Sequence, residues 1–170
     1  MKNTKTKLKR ILIVGDACRG KSTLASKISK KLGIPNYSTD DFFYEIKFTK
    51  RRDKEESIRD ILKIYEKEEW VVEGTTKHLV EHGLDSADKI IYLRHKKIFI
   101  QWLLLLKRHF QRDGDTLSDL FGFMKHVLYK KYKLGHRKGR ATPSEIIKPY
   151  QHKVVTLSSF KEIETFLNSL

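Results

Sequence analysis

The sequence has little of what marks secreted and membrane proteins. Its 170 residues include a single cysteine, Cys18, so an internal disulfide is excluded. The most apolar run, residues 98–106, is nine residues long and contains a glutamine, whereas a membrane-spanning helix needs roughly 20 apolar residues. The basic amino-terminal segment leads into only four apolar residues, too few for a secretory signal. We therefore expect a cytoplasmic protein without a transmembrane helix.

Acidic residues are also scarce relative to basic ones. There are 36 Lys and Arg against 21 Asp and Glu, a formal net charge of +15. The excess is concentrated in residues 1–10 and 120–144, which contain five and seven basic residues and no acidic ones. Such a field attracts polyanions, including nucleotides and nucleic acid. Lysines on ordinary solvated surfaces explain the same excess, so charge alone does not select a ligand.

The apolar residues predict alternating strands and helices in one domain covering residues 1–170. Short apolar runs predict five strands, and stripes with helical spacing predict the helices between them. No repeat or linker divides the chain. The predicted fold class is α/β, with a parallel sheet covered by helices on both faces and joined by right-handed crossovers. The predicted strands are residues 11–14, 36–38, 70–72, 88–93 and 153–157; the predicted helices are 21–32, 54–68, 96–110, one beginning near 119 and one opening at 159.

The most informative motif is the glycine-rich loop between the first strand and the first helix. Residues 15–22 match the pattern G-x-x-x-x-G-K-[ST] of a phosphate-binding P-loop. Backbone N–H groups and the helix amino terminus hold phosphates in such a loop, Lys21 neutralises them, and Ser22 is a ligand for Mg²⁺. We expect Lys21 to be solvated while the site is empty. The predicted nucleotide-binding residues are Gly15, Asp16, Ala17, Cys18, Arg19, Gly20, Lys21, Ser22 and Thr23.

In addition to the serine, a P-loop protein needs a carboxylate near the metal, usually at the end of a neighbouring strand. The fourth strand ends in Arg94. The candidates are Glu73 after the third strand and Asp40 or Asp41 after the second, all at carboxyl ends where α/β sheets bind ligands. GTPase switch motifs are absent and the chain is too short for a motor module. The class of P-loop protein that remains is a small phosphotransferase that uses ATP or GTP with Mg²⁺.

Three segments, residues 15–44, 70–80 and 87–115, resemble the adenylate-kinase-like P-loop kinases. The small branch known as DNA topology modulation protein is the most similar. The resemblance implies a five-stranded parallel sheet in the order 2-3-1-4-5, an acceptor site near the end of strand two, and a short lid at about residues 108–122.

The resemblance also implies roles for individual residues. Asp40 matches the acceptor-side or metal-side acid, although Asp41 remains an alternative. Glu73 stands where the family usually has aspartate, and it is predicted to hold Mg²⁺ together with Ser22. Arg108 and Arg112 match the lid arginines. The predicted catalytic residues are Lys21, Asp40, Arg108 and Arg112.

The predicted function is phosphoryl transfer from Mg·ATP to a small, anionic acceptor, such as a nucleoside, a nucleotide or a related metabolite. Two alternatives remain open. The basic stretch at residues 125–140 suits a polynucleotide 5′-hydroxyl kinase, and it also suits a nucleotide-dependent regulator that binds nucleic acid with weak ATPase activity. Residues 78–82 match the H-x-x-E-H zinc signature. Because they follow a strand of a P-loop fold and a third ligand is not identifiable, we do not predict zinc there.

Overall fold

The computed structural model describes residues 8–15, 19–46, 50–94 and 142–170, together with residues 106, 121–122, 124–125 and 128–129. In chain order the strands are β1 Arg10–Gly15, β2 Asn36–Ser38, β3 Tyr44–Ile46, β4 Lys50–Arg51, β5 Trp70–Gly74, β6 Lys89–Leu93 and β7 Val154–Leu157. The helices are α1 Lys21–Leu32, α2 Thr39–Phe43, α3 Lys54–Tyr65, α4 Lys77–Val80, α5 Pro143–Ile146 and α6 Phe160–Ser169. Two short 3-10 helices follow α4 and α5, at Glu81–Gly83 and Lys148–Lys153.

The main sheet has the strand order β2-β5-β1-β6-β7. Every pairing in it is parallel. Renumbered over these five strands, the order is 2-3-1-4-5, so the predicted fold is confirmed. The central strand β1 is a run of large aliphatic residues that is buried on both faces, as a parallel strand covered by helices requires.

Helices cover both faces of the sheet and produce two hydrophobic clusters. Ile11 and Ile13 point to the face covered by α1 and α6, where Leu24 and Ile28 of α1 are buried. Leu12 and Val14 point to the face covered by α3 and α4. Each fully buried aliphatic side chain contributes roughly 1.5–3 kcal/mol. The alternation along β1 therefore fixes which helices lie on each side of the sheet.

Several boundaries differ from the sequence-based ones. Helix α3 ends at Tyr65 rather than at residue 68, because its buried stripe ends there and residues 66–68 are exposed. Strand β5 continues through Glu73 and Gly74. The antiparallel β3–β4 pair and the short helix α2 were not predicted. Residues 42–52 contain no glycine or asparagine, so the usual hairpin signal was missing.

The predicted helices at residues 96–110 and near 119 lie almost entirely outside the described residues, as does most of the predicted lid. Among the positions that are described, 106, 121–122, 124–125 and 128–129 are helical. No helix in the described part of the chain is long and apolar enough to cross a membrane.

Candidate functional site

The carboxyl ends of β1, β2 and β5 meet at one edge of the sheet, next to the start of α1. At the end of β1, a Cβ on Gly15 would lie 2.6 Å from the carbonyl oxygen of Leu93 in the neighbouring strand. Only glycine avoids this clash. Helix α1 begins at Lys21, directly after Gly20. Asp16, Ala17 and Cys18, which complete the predicted phosphate loop, lie outside the described residues.

The two cations of the loop are buried. Arg19 is 9% exposed and Lys21 is 8% exposed, whereas Ser22 and Thr23 are exposed. The expectation that Lys21 is solvated in the empty site is therefore wrong. Lys21 is instead buried at the first position of α1.

Three side-chain oxygens converge beside the first turn of α1. The hydroxyl of Ser22 donates a hydrogen bond to Glu73 Oε1 at 2.8 Å. The hydroxyl of Ser38 donates to the same oxygen at 2.9 Å. Glu73 is only 5% exposed, so this carboxylate is held inside the protein by the two hydroxyls. Ser38 and Glu73 are register partners of adjacent parallel strands, which explains why their side chains meet.

These oxygens fit the requirements of Mg²⁺. Mg²⁺ prefers oxygen ligands in an octahedron with bonds of 2.0–2.1 Å, so adjacent ligands are separated by roughly 2.9 Å. The Ser22–Glu73 and Ser38–Glu73 separations are those of ordinary O–H···O hydrogen bonds, so the fit to Mg²⁺ rests on the hydroxyl and carboxylate chemistry of the three groups. Ser22 and Glu73 were the metal ligands predicted from the sequence, and they lie together. Ser38 is a third oxygen that the sequence reasoning missed.

Helix α2 begins at the same edge and carries the predicted acceptor-side acids. Ser38 precedes it, and its hydroxyl accepts a hydrogen bond from the backbone N–H of Asp40 at 3.3 Å. Asp40 is half-buried and Asp41 is exposed. Of the two candidate acids, Asp40 is thus the more enclosed and lies closer along the chain to the oxygen cluster.

Packing fixes the position of α2 against β5. Thr39, the first residue of α2, is completely buried. A Cβ on Gly74 would lie 1.9 Å from Thr39 Oγ1 and 2.5 Å from its methyl group. Glycine after Glu73 is therefore required for α2 to lie this close to the strand end.

Aromatic and basic residues surround the other end of α2. The ring of Phe43 lies 5.7 Å from that of His78 on α4, and the Arg51 guanidinium lies 5.6 Å from the Phe43 ring. Burial lowers the pKa of His78, and the nearby Lys54 ammonium lowers it further. The His78 imidazole is therefore harder to protonate than that of an ordinary histidine.

The β3–β4 hairpin is attached to α3 by Arg52. Its guanidinium forms ion pairs with Glu56 at 3.2 Å and Asp60 at 3.3 Å. Of the zinc-signature residues, His78 and His82 fall on α4 and the following 3-10 helix. The described residues include no group of three or more His, Cys, Asp or Glu side chains that could hold a metal ion. Arg108 and Arg112 lie outside the described residues.

No protein-family model and no curated protein sequence matches this chain. Several solved structures, in contrast, are similar to this chain. A shikimate kinase from Bacteroides thetaiotaomicron is 16% identical over 95% of both chains, with a TM-score of 0.57. A shikimate kinase from Acinetobacter baumannii, in complex with shikimate, is 10% identical over 95% of this chain and 90% of its own, with a TM-score of 0.56. A gluconokinase from Sinorhizobium meliloti is 14% identical over 96% and 93%, with a TM-score of 0.53.

At these identities the likeness concerns the fold. Together with the observed strand order, it shows that this chain has the α/β fold of the small P-loop kinases. That is the fold of the adenylate-kinase-like group which the sequence resembles.

Proposed function

We propose that the protein is a Mg·ATP-dependent phosphotransferase acting on a small, anionic acceptor. The observation that carries this proposal is the convergence of the Ser22, Ser38 and Glu73 oxygens next to the P-loop lysine. An ion held there lies beside the site where the loop binds the donor phosphates. Glu73 and Ser22 would hold Mg²⁺, which would supply neutralisation of the phosphate charge and orientation of the transferred group.

The remaining roles follow from position. Lys21 and Arg19 supply positive charge to the donor phosphates. Asp40, at the start of α2, orients the acceptor hydroxyl or takes its proton. Arg108 and Arg112 close over the phosphates as lid residues, and this role stays a prediction from the resemblance. Membership of the DNA topology modulation branch and a cytoplasmic location also stay predictions.

A small hydroxylated acceptor is consistent with the solved structures of similar fold, which include a kinase holding shikimate and a gluconokinase. We propose an acceptor of comparable size, such as a nucleoside, a nucleotide, or a sugar-derived acid. Measuring ADP release with each of these, and with 5′-hydroxyl oligonucleotides, identifies the acceptor class. Activity restricted to oligonucleotide ends would reassign the protein as a polynucleotide kinase.

The nucleotide site is tested independently of the acceptor with Lys21→Met. Methionine fills most of the lysine volume, so the change removes mainly the charge from a buried position. A charged hydrogen bond contributes about 1.5–3 kcal/mol, so the affinity for Mg·ADP should fall roughly 10- to 100-fold. Isothermal titration calorimetry measures this fall.

The matched control is Lys30→Met, which removes the same charge from an exposed position near the far end of α1. Its affinity for Mg·ADP should equal that of the wild type. Thermal unfolding establishes that both variants are folded. Wild-type affinity in a folded Lys21→Met protein would contradict the proposed site.

A further inference from the structure

A continuous chain of hydrogen bonds links the ion site to the acceptor-side helix. It runs from the Ser22 hydroxyl to Glu73 Oε1, then to the Ser38 hydroxyl, and from there to the backbone N–H of Asp40. The first member belongs to α1 on the donor side of the site. The last is the residue proposed to handle the acceptor. Within this series of hydrogen bonds, the Ser38 hydroxyl is the group that bonds both to Glu73 and to the backbone of Asp40.

The chemistry of a hydroxyl makes this link directional. A serine hydroxyl has one proton to donate and lone pairs to accept. The Ser38 proton is directed to Glu73, and a lone pair is directed to the Asp40 N–H, which it caps. Any change that fixes the Glu73 carboxylate therefore also fixes the orientation of the cap on α2.

The surrounding packing allows little independent movement of these groups. Ser38 and Glu73 are paired in the sheet, and the buried Thr39 lies against Gly74 one residue further along. Helix α2 has only five residues, so few internal hydrogen bonds hold it. The bond from the Asp40 N–H to the Ser38 hydroxyl is therefore one of few that hold its first turn, in addition to the packing of Thr39 against Gly74.

We propose that Ser38 is a positioning residue that couples Mg·nucleotide binding at Ser22 and Glu73 to the ordering of α2 and Asp40. The inference rests on the proposed function, because it requires the ion to bind at Glu73. Binding on the donor side then prepares the acceptor side before an acceptor arrives. By thermodynamic linkage, an acceptor that orders α2 tightens Mg·nucleotide binding by the same factor.

Amide hydrogen exchange of α2 tests the coupling without a known acceptor. The probe is a non-hydrolysable ATP analogue with Mg²⁺, and calorimetry in the same buffer establishes that it binds. In the wild type, we expect it to slow exchange at the Asp40 amide and along α2 at least about fivefold, the lower end of typical couplings between sites. The analogue with EDTA in place of Mg²⁺ should cause no such slowing.

Three variants separate coupling from ordinary helix capping. Ser38→Ala, compared at a concentration of the Mg·analogue that calorimetry shows to be saturating, should lose the ligand-dependent slowing in α2. Ser38→Thr keeps the hydroxyl and should restore it. Ser57→Ala is the matched control, because the Ser57 hydroxyl donates at 2.7 Å to the carbonyl of Asp53, the residue before α3. It should retain the full slowing.

Equal slowing in Ser38→Ala and the wild type would overturn the proposal, because a simple cap does not transmit ligand binding. Equal slowing with EDTA would also overturn it, and this measurement needs only the wild-type protein. If calorimetry detects no binding of the Mg·analogue to the wild type, the proposed function itself fails. Binding without any slowing of α2 refutes the coupling alone.

Discussion

Replacing Glu73 with glutamine separates the charge of this residue from its hydrogen bonds. Glu73 Oε1 accepts bonds from both Ser22 and Ser38, and the side chain is 5% exposed. Glutamine keeps a carbonyl oxygen that accepts the same two bonds. It removes the negative charge on which Mg²⁺ binding depends.

The expected effects on ion binding and on stability therefore differ. Loss of a ligand or of a group that orients one typically lowers metal affinity 10- to 100-fold, or about 1.4–2.8 kcal/mol. The free energy of unfolding should stay the same or rise, because a neutral amide costs less to bury than a carboxylate. Glu73→Ala should instead destabilise the fold by about 1–3 kcal/mol, because the half-buried Ser38 hydroxyl loses its acceptor.

The assay is a calorimetric titration of the protein with Mg²⁺ in the presence of ADP. Urea unfolding of the same variants is measured in parallel. The matched control is Glu68→Gln, which makes the same change in charge at a side chain that is 92% exposed. Glu68→Gln should show the Mg²⁺ dependence of the wild type. If Glu73→Gln shows it too, the oxygen cluster is not the ion site.

Two further predictions concern stability. Gly74→Ala should lower the free energy of unfolding by about 1–3 kcal/mol or more in urea denaturation, because the new methyl group overlaps Thr39. Burial lowers the pKa of His78 below its ordinary value of 6.5, so the unfolded chain binds the proton more readily and stability should fall as pH drops through 6.5. The decrease in Tm between about pH 7.5 and about pH 5.5 should be smaller in His78→Gln, while His152→Gln, altered at an exposed residue, should retain it.

Periodicity and motif spacing predicted the parts of the fold that depend on local pattern. The aliphatic run of β1, the start of α1 at Lys21 and the strand leading to Glu73 are each marked by adjacent residues. The pairing of Ser22 with Glu73 also follows, because carboxyl ends of neighbouring parallel strands meet at one edge. The strand order rested on the resemblance to known kinases, since strand patterns alone do not specify it.

The parts that were missed depend on contacts between distant residues. Ser38 is a common residue in a three-residue strand, and only its register with Glu73 gives it a place in the site. The burial of Lys21 depends on packing in three dimensions, which a linear motif does not report. The β3–β4 hairpin is held by Arg52 through ion pairs to Glu56 and Asp60, which hydrophobic periodicity does not report.

The balance of buried charge gives a reason for the site to bind an anion. Two cations, Arg19 and Lys21, are buried near the loop, and one carboxylate, Glu73, is buried beside them. The site offers each ligand a group of opposite charge: the carboxylate of Glu73 attracts Mg²⁺, and the two cations attract a polyphosphate. Mg²⁺ bound there would add positive charge for the phosphates, and the phosphates would bring further oxygen ligands to the ion. We therefore expect nucleotide and Mg²⁺ to bind cooperatively, each weakly without the other. The negative charge of Glu73 offsets the repulsion between the ion and the two basic side chains.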